Sequence, residues 1–359
     1  MKRKCLAIGI ILLFVGTSII PAIAQDTEKT LPTSRGNWLY VGGSGPGNYT
    51  KIQDAVNNAS EGDTVYVYNG TYHEALSINV MSLNVVGEGR DVTCINANFT
   101  SEAVVISQSY VSLCGFTIIG KNYCVYVTEG LTAITVSHNN LSKRPDILYG
   151  VCFEYDGDVE NNWNVLENNI FYSNSHGIGL YGSEFSTIRN NTFVNNGYGL
   201  DISGNNNRIL NNTFLDCRLR GLRLYGGPSK VEGNIFIGND IGLEVRGSEN
   251  SIIGNLFEDN TIGVRLYRVS NTLVTQNNFI KNRKHATFYE DSRSHGNNWD
   301  NNYWSGLFYL FGYKFIFGRI QTRIPWFQFD PEVPAYYFIR WINFDKQPAQ
   351  EPYDIPGMN

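Results

Sequence analysis

The sequence predicts an all-β protein: a single-stranded right-handed parallel β-helix of about 9–11 coils, each of about 21–22 residues. Three recurring phrases predict it. In the first, Asn169, Asn191, Asn212, Asn234, Asn255 and Asn277 each stand two residues before Phe171, Phe193, Phe214, Phe236, Phe257 and Phe279, with Phe spacings of 22, 21, 22, 21 and 22. The second is Gly-(Leu/Val), at Gly179-Leu180, Gly199-Leu200, Gly221-Leu222, Gly242-Leu243 and Gly263-Val264. The third is an apolar residue after a polar turn, at Ile188, Ile209, Val231, Ile252 and Leu273.

Three strand-length apolar segments per repeat, flanked by Gly or Asn, imply three strands and three turns per coil. Such a repeat cannot bury its own apolar face, so coils must stack on one another. Each coil then advances about 4.8 Å along the axis, the spacing of strands in a sheet. The Leu-x-x-Leu-x-Leu frame of a leucine-rich repeat is absent, and β-branched, strand-length segments argue against helical repeats. The recurring Asn has a physical reason. Asn tolerates left-handed backbone angles, and stacked side-chain amides can hydrogen-bond from coil to coil. Asn169 through Asn277 are therefore expected to form a structural ladder.

In chain order, residues 1–24 read as a signal peptide. Lys2, Arg3 and Lys4 precede an apolar stretch from Cys5 to Ile20, and Ala22-Ile23-Ala24 supplies a cleavage site. An uncleaved membrane anchor is the alternative for this segment, and no later segment is apolar enough to span a membrane. A linker, 25–36, leads to the β-helix domain, 37–304. Thr50-Lys51-Ile52-Gln53 resembles a helix capping box, and Ile52, Ala55, Val56 and Ala59 form one apolar helical face. This helix is expected to plug the N-terminal end. Val65 and Val67 alternate with Tyr66 and Tyr68 as a half-buried strand. Leu83, Val85, Leu113, Phe116, Val125, Val127 and Ile134 are expected core positions of the next coils. Leu141 to Phe171 spans 30 residues, so 143–164 holds an insertion, expected as a loop on one face. Segment 305–359 is expected to cap the C-terminal end. Its aromatics (Phe308, Tyr309, Phe311, Trp326, Phe327, Phe329, Tyr336, Tyr337 and Trp341) leave open a sugar-stacking or partner-binding surface.

Composition limits the functions. Charged residues are 17% of the chain, below the usual quarter. Loss of the signal would leave 25 Lys and Arg against 33 Asp and Glu, a net charge near −8. No basic stripe accompanies that balance, so nucleic acid is not an expected partner. The five remaining cysteines, Cys94, Cys114, Cys124, Cys152 and Cys217, are irregularly spaced and read as small core residues, one disulfide among the first four staying open. Seven Asn-x-Ser/Thr sequons begin at Asn48, Asn58, Asn69, Asn98, Asn140, Asn190 and Asn211. They permit glycosylation, although an Asn-rich repeat generates them by chance.

The stretch Gly43-Ser44-Gly45-Pro46-Gly47-Asn48-Tyr49-Thr50-Lys51-Ile52-Gln53-Asp54-Ala55-Val56 is one family signature. Gly62-Asp63-Thr64-Val65-Tyr66-Val67 with Gly70-Thr71-Tyr72, the Asn-x-Phe repeats, and the closing Asn302-Tyr303-Trp304 complete it. Together they resemble the NosD-like, or carbohydrate-binding and sugar-hydrolase (CASH), parallel β-helix proteins over roughly Asn37 to Trp304. The resemblance implies a pectin-lyase-like solenoid. It does not specify one activity, because that family spans accessory periplasmic proteins, cell-surface proteins and carbohydrate enzymes.

The strand after each Gly-(Leu/Val) places outward residues in columns: Tyr181, Asp201, Arg223, Glu244 and Arg265 in one, Ser203, Tyr225, Arg246 and Tyr267 in the next. Tyr181, Asp201, Arg223, Tyr225, Glu244, Arg246, Arg265 and Tyr267 are therefore the candidate ligand-binding residues. Tyr rings stack on sugar faces, while Arg and carboxylates bond to hydroxyls or uronates. The alternative is a surface salt-bridge ladder, with Arg223 pairing both Asp201 and Glu244. No catalytic residue is assigned. Ser175-His176-Gly177 faintly echoes the Gly-His-Gly of polygalacturonases, but His176 is expected at the turn position of Asn196, Arg218, Asn239 and Asn260, with no Asp-Asp pair beside it. Asp156, Asp158 and Glu160 are the carboxylates whose convergence would indicate catalysis. The resemblance suggests copper, but His73, His138, His176, His285 and His295 are scattered and only Met81 and Met358 accompany them. No metal site and no cofactor are expected. The leading expectation is a secreted or cell-surface scaffold, periplasmic where an outer membrane exists. It binds carbohydrate or a surface partner as a monomer. A polysaccharide lyase, hydrolase or epimerase and a copper-related accessory protein are the alternatives.

Overall fold

The computed structural model describes residues 36–141, 148–157, 160–291, 294–306, 309–310, 313–323 and 336–356. The signal-peptide segment 1–24 and most of the linker lie outside the described residues. The chain coils into a parallel β-solenoid of about 12 turns. Each coil contributes three strands to three faces. Face 1 runs from Trp38–Val41 through Thr64–Val67 to Asn298–Asp300, face 2 from Gly70–Tyr72 to Tyr303–Trp304, and face 3 from Leu76–Ile78 to Lys284–Glu290. Face 2 is an 11-stranded sheet, while faces 1 and 3 belong to one 25-stranded sheet.

The Phe of each Asn-x-Phe phrase fixes the register. Phe171, Phe193, Phe214, Phe236, Phe257 and Phe279 occupy one inward column that ends on Trp304. Successive Phe rings stack nearly parallel, with centroids 4.7–5.0 Å apart. Ring spacing thus matches strand spacing, so stacking and strand pairing are satisfied together. Ile188, Phe193, Leu200 and Ile202, all fully buried, show how one coil fills the interior.

Glycine is required beside this column. A Cβ on Gly177 would lie 2.5 Å from the Gly199 carbonyl oxygen and 2.7 Å from Phe193 Cδ1. The pairing of Ile178 with Leu200 shows that Gly177, not Gly179, is the counterpart of Gly199. The phrase expected at Gly179-Leu180 is therefore displaced by two residues, because this coil carries two glycines and the closer fit to the Phe ring selects the first.

Each Asn of the ladder is fully or almost fully buried. The backbone N–H of Asn212 donates to Asn234 Oδ1 at 2.8 Å and its Nδ2 donates to the same oxygen at 3.0 Å. The same bond runs from Asn139 through Asn169, Asn191, Asn212, Asn234, Asn255 and Asn277 to Asn302. A second series passes from Asn174 to Asn196, and from Cys217 through Asn239 and Asn260 to Asn282. Asn164, Ser186, Asn207 and Ser229 link a third turn. Cys124 and Cys217 are core residues, and Cys114 and Cys152 are buried. Burial pushes the Cys152 and Cys217 thiols up to about 12.

Helix Ile52–Asn58 buries Ile52, Ala55 and Val56 over the first coil. The expected capping box does not form, since the Lys51 N-cap makes no side-chain bond. The cap comes from the following coil: the Glu74 carboxylate accepts from Ile52 N at 2.8 Å and Gln53 N at 3.0 Å. Gln53 instead ties down Ser77. The 143–164 stretch is also not one loop. Tyr149–Phe153 inside it is a regular strand of face 3, paired on both sides. The extra residues therefore lie in sequence on both sides of that strand.

Beyond Trp304, Tyr313–Arg323 and Tyr336–Asp345 form an antiparallel hairpin. The first strand extends face 3 by pairing with Phe288–Glu290, and Asp345 pairs with Trp299 on face 1. Ile316 enters the core. Residues 346–356 then turn back along face 2, where Tyr353 exchanges two hydrogen bonds with Asn278 and Ile355 packs on Ile235 and Leu256. Phe308, Phe311, Trp326, Phe327 and Phe329 lie outside the described residues. Asp345 is fully buried and ends the Asn ladder. Its Oδ2 accepts from Asn302 N at 3.0 Å, Asn302 Nδ2 at 3.0 Å and Trp304 Nε1 at 2.9 Å, and its Oδ1 accepts from Asn301 N at 3.1 Å and Gln347 N at 3.2 Å.

Candidate functional site

Face 3 carries the longest strands and most of the candidate side chains. Its register aligns Gly179, Asp201, Arg223, Glu244, Arg265 and Thr287 in one outward column. Ser203 aligns with Tyr225 and Tyr267 with Tyr289 in the next, where Arg246 falls between Tyr225 and Tyr267. Tyr181 is aligned with Ser203, not with Asp201, a consequence of the two-residue shift at Gly177. It still reaches the first column, because its phenol donates to Asp201 Oδ2 at 3.0 Å.

A third outward column joins Tyr123, Tyr149, His176, Tyr198 and Arg220, the last four each one residue before a glycine. His176 is therefore a strand residue. The turn position beside Asn196 belongs to Asn174. The imidazole is clamped between Tyr149 and Tyr198, with ring centroids 4.6 and 4.7 Å away. Burial holds its pKa below the ordinary value, an effect the Asp201 charge opposes.

Two carboxylates, Asp201 and Glu244, are fully buried beneath the arginines. Asp201 accepts both Tyr181 and a two-point bond from Arg223, through Nε at 2.8 Å and through Nη2. Glu244 is surrounded by three cations: Arg246 Nε at 2.7 Å, Arg220 Nε at 3.1 Å and Arg265 Nη1 at 3.2 Å. Burial would raise Glu244, but hydrogen bonding and charge from Arg246 and Arg220 outweigh it and hold the pKa below the usual carboxylate range. The expected ladder, with Arg223 shared between both acids, is replaced by two separate clusters. Arg220 was not among the sequence candidates. Its signal was the residue preceding each Gly, which the Gly-(Leu/Val) phrase passes over.

Arginines and tyrosines interleave above these acids. The Arg223 guanidinium carbon lies 4.5 Å from the Tyr198 ring centroid and 5.1 Å from that of Tyr225. Arg246 lies 4.7 Å from Tyr267, and Arg268 lies 5.5 Å from Tyr267 and 5.4 Å from Tyr289. Stacking of this kind holds the guanidinium planes in place while leaving their edges for a ligand. Arg246 and Arg265 stay about one-third exposed.

Among the described residues, no three His, Cys, Asp or Glu side chains converge as a metal site. Asp158 lies outside the described residues. Tyr181 is pushed up by burial and by its contacts with Tyr149 and Asp201, so its phenol is held protonated.

These features define a parallel β-helix of the pectin-lyase-like class with a polar, arginine-rich face. Within that class, the family described as periplasmic copper-binding protein (NosD) matches residues 56–312, and the chain belongs to it. Among solved structures, ORF18 of Geobacillus virus E2 is similar at 16% identity and a TM-score of 0.55, covering 76% of this chain and 57% of that one. The A-module of the Azotobacter vinelandii mannuronan C-5 epimerase AlgE6 is similar at 18% identity and a TM-score of 0.50, covering 68% and 88%. A GH136 lacto-N-biosidase of Eubacterium ramulus follows at 11% identity and a TM-score of 0.51, covering 73% and 65%. At these identities the likeness is one of fold. Curated protein sequences yield no match. The family description implies copper, but the donor set does not fit it: His176 is stacked between tyrosines, His285 Nε2 meets the Ser305 carbonyl at 2.8 Å, and no thiol or imidazole cluster forms among the described residues.

Proposed function

We propose that the protein is an extracytoplasmic β-helix that binds an acidic polysaccharide along face 3. The carrying observation is the set of five arginines, Arg220, Arg223, Arg246, Arg265 and Arg268, interleaved with tyrosines on one face of a chain whose net charge is −5. Of their acid partners, Asp201 and Glu244 are fully buried and Asp291 is 11% exposed, so the face presents mainly cations and aromatic rings outward. Guanidinium edges bond to carboxylates, and tyrosine rings offer flat surfaces to sugars. The axial step of about 4.8 Å per coil is comparable to one sugar residue of an extended chain. Two of the structurally similar proteins are named as carbohydrate-active enzymes, which supports glycan as the ligand class. The family's periplasmic description and the N-terminal segment support an extracytoplasmic address.

The same geometry speaks against lyase, hydrolase or epimerase chemistry carried by Tyr181, Asp201 or Glu244. An acid–base catalyst works best with a pKa near the working pH, whereas Tyr181 is pushed up, Glu244 is held down by its arginines, and the Asp201 carboxylate is occupied by Arg223 and Tyr181. Titration of the full chain with oligogalacturonates tests the proposal. Binding is expected to weaken with salt and to fall roughly 10- to 100-fold in Arg246→Gln, as the loss of one charged hydrogen bond implies. Uncharged dextran is expected not to bind. Equal binding by wild type and by an Arg246→Gln/Tyr267→Ala variant overturns the site.

A further inference from the structure

Face 3 does not stop at its last complete coil. The strand Tyr313–Arg323 extends it, and a groove of about 500 Å³ is lined by residues of Lys284–Glu290 and of both hairpin strands. Lys284, Arg319 and Arg340 line it, and no carboxylate does. Arg319 and Arg340 stand directly opposite each other across the antiparallel pair. Like charges in that position repel, and among the described residues neither arginine has a carboxylate within ion-pair distance. A buried acid relieves the arginines of the central face, and among the described residues no carboxylate does so for these. The wall beside them is apolar: Phe317 is 66% exposed and Ile342, its cross-strand partner, 38%. Thr287, which also lines the groove, continues the Asp201–Arg265 column.

We infer that this groove is a terminal subsite for an anionic glycan. Arg319, Arg340 and Lys284 hold an acidic group of the sugar chain, and Phe317 and Ile342 contact the apolar face of its ring. The inference rests on the face 3 reading and adds a direction and a length to it. Four strand steps separate the Arg220–Tyr225 strand from the hairpin, about 19 Å along the axis. A short oligomer is expected to sit on the central arginines, while one that spans the whole row reaches the groove as well and gains by effective concentration.

The test is titration of the full chain with short and long oligogalacturonates, in wild type and in Arg319→Gln/Arg340→Gln. In wild type the long oligomer is expected to bind roughly 10- to 100-fold more tightly than the short one. In the variant that gain disappears while binding of the short oligomer is unchanged. Equal binding of long and short oligomers by wild type, or a gain that survives the variant, overturns the groove and leaves the face 3 reading standing. No binding of either oligomer overturns both. Capture by phosphatidylserine vesicles that the variant abolishes also overturns the groove, by assigning it to a membrane surface. Folding of the variant is checked by its melting temperature, which is expected to rise because the repulsion is removed; a large fall would overturn the view that this pair stands without an internal counter-ion.

Discussion

Replacing Asp345 with alanine should unfasten the C-terminal end of the solenoid. The carboxylate accepts five hydrogen bonds, and its partners Asn302 and Trp304 are themselves buried. Alanine strands two donors, Asn302 N and Trp304 Nε1, each costing about 1–3 kcal/mol when left unsatisfied, while Asn302 Nδ2 keeps the Val274 and Asp300 carbonyls. Water reaching the end of the stack recovers part of this, so the expected loss is about 3–5 kcal/mol. Coils contact only their neighbours, so the damage should appear first in the last coil. Urea denaturation gives the total, and amide hydrogen exchange at Asn302 and Trp304 gives its location. Asp345→Asn should fall between wild type and alanine, since it keeps one acceptor and turns an NH2 toward donors. A stability change below about 0.5 kcal/mol, with unaltered protection at those two amides, would refute the assignment of Asp345 as the end of the ladder.

Two further outcomes follow from the same physics. Asn234 both accepts from Asn212 and donates to Asn255 Oδ1 and the Ile209 carbonyl, so Asn234→Asp loses the donors and buries a charge; a loss of about 3 kcal/mol or more in urea denaturation is expected. His176 and His285 are both lowered by burial. The unfolded chain therefore binds more protons below about pH 6.5, and stability should fall as pH drops from there toward the folded values. Glu244 is depressed, so its contribution is complete above about pH 4.3 and is lost as pH falls through its folded value. His176→Phe, which keeps a ring between Tyr149 and Tyr198, should flatten part of the decline in melting temperature, and a wild-type melting temperature that stays flat across that range would contradict it.

The interior of the solenoid was legible because Phe and Asn recur there under one rigid demand, the spacing of strands. The register of one coil was not. Gly177 and Gly179 both satisfy the pattern, and only the approach of the Phe193 ring and the Gly199 carbonyl decides between them. That ambiguity moved Tyr181 by one column. The caps were legible as segments but not as bonds. Glu74 lies 22 residues from the helix end it caps, and Asp345 lies 43 from Asn302. Those separations match one and two repeats, but neither acid belongs to a recurring phrase, so the pattern did not point to it. The two acid clusters were half legible, since the column held Asp201 and Glu244, while the choice of arginines depended on side-chain reach across columns.

The Asn ladder has a consequence for length. Every carbonyl in it faces the coil before, and every backbone N–H donates to the coil after. All rungs are therefore interchangeable, and only the last is special. A stop must accept without donating, which is what a carboxylate does and an amide cannot. Coils can be lost or duplicated between Asn169 and Asn277 with both ends still satisfied: deleting 213–234 would bring Asn212 onto Asn255. Each such event would shorten or extend face 3 by one strand, so the length of that face would evolve as a copy number, independently of the machinery that closes the fold.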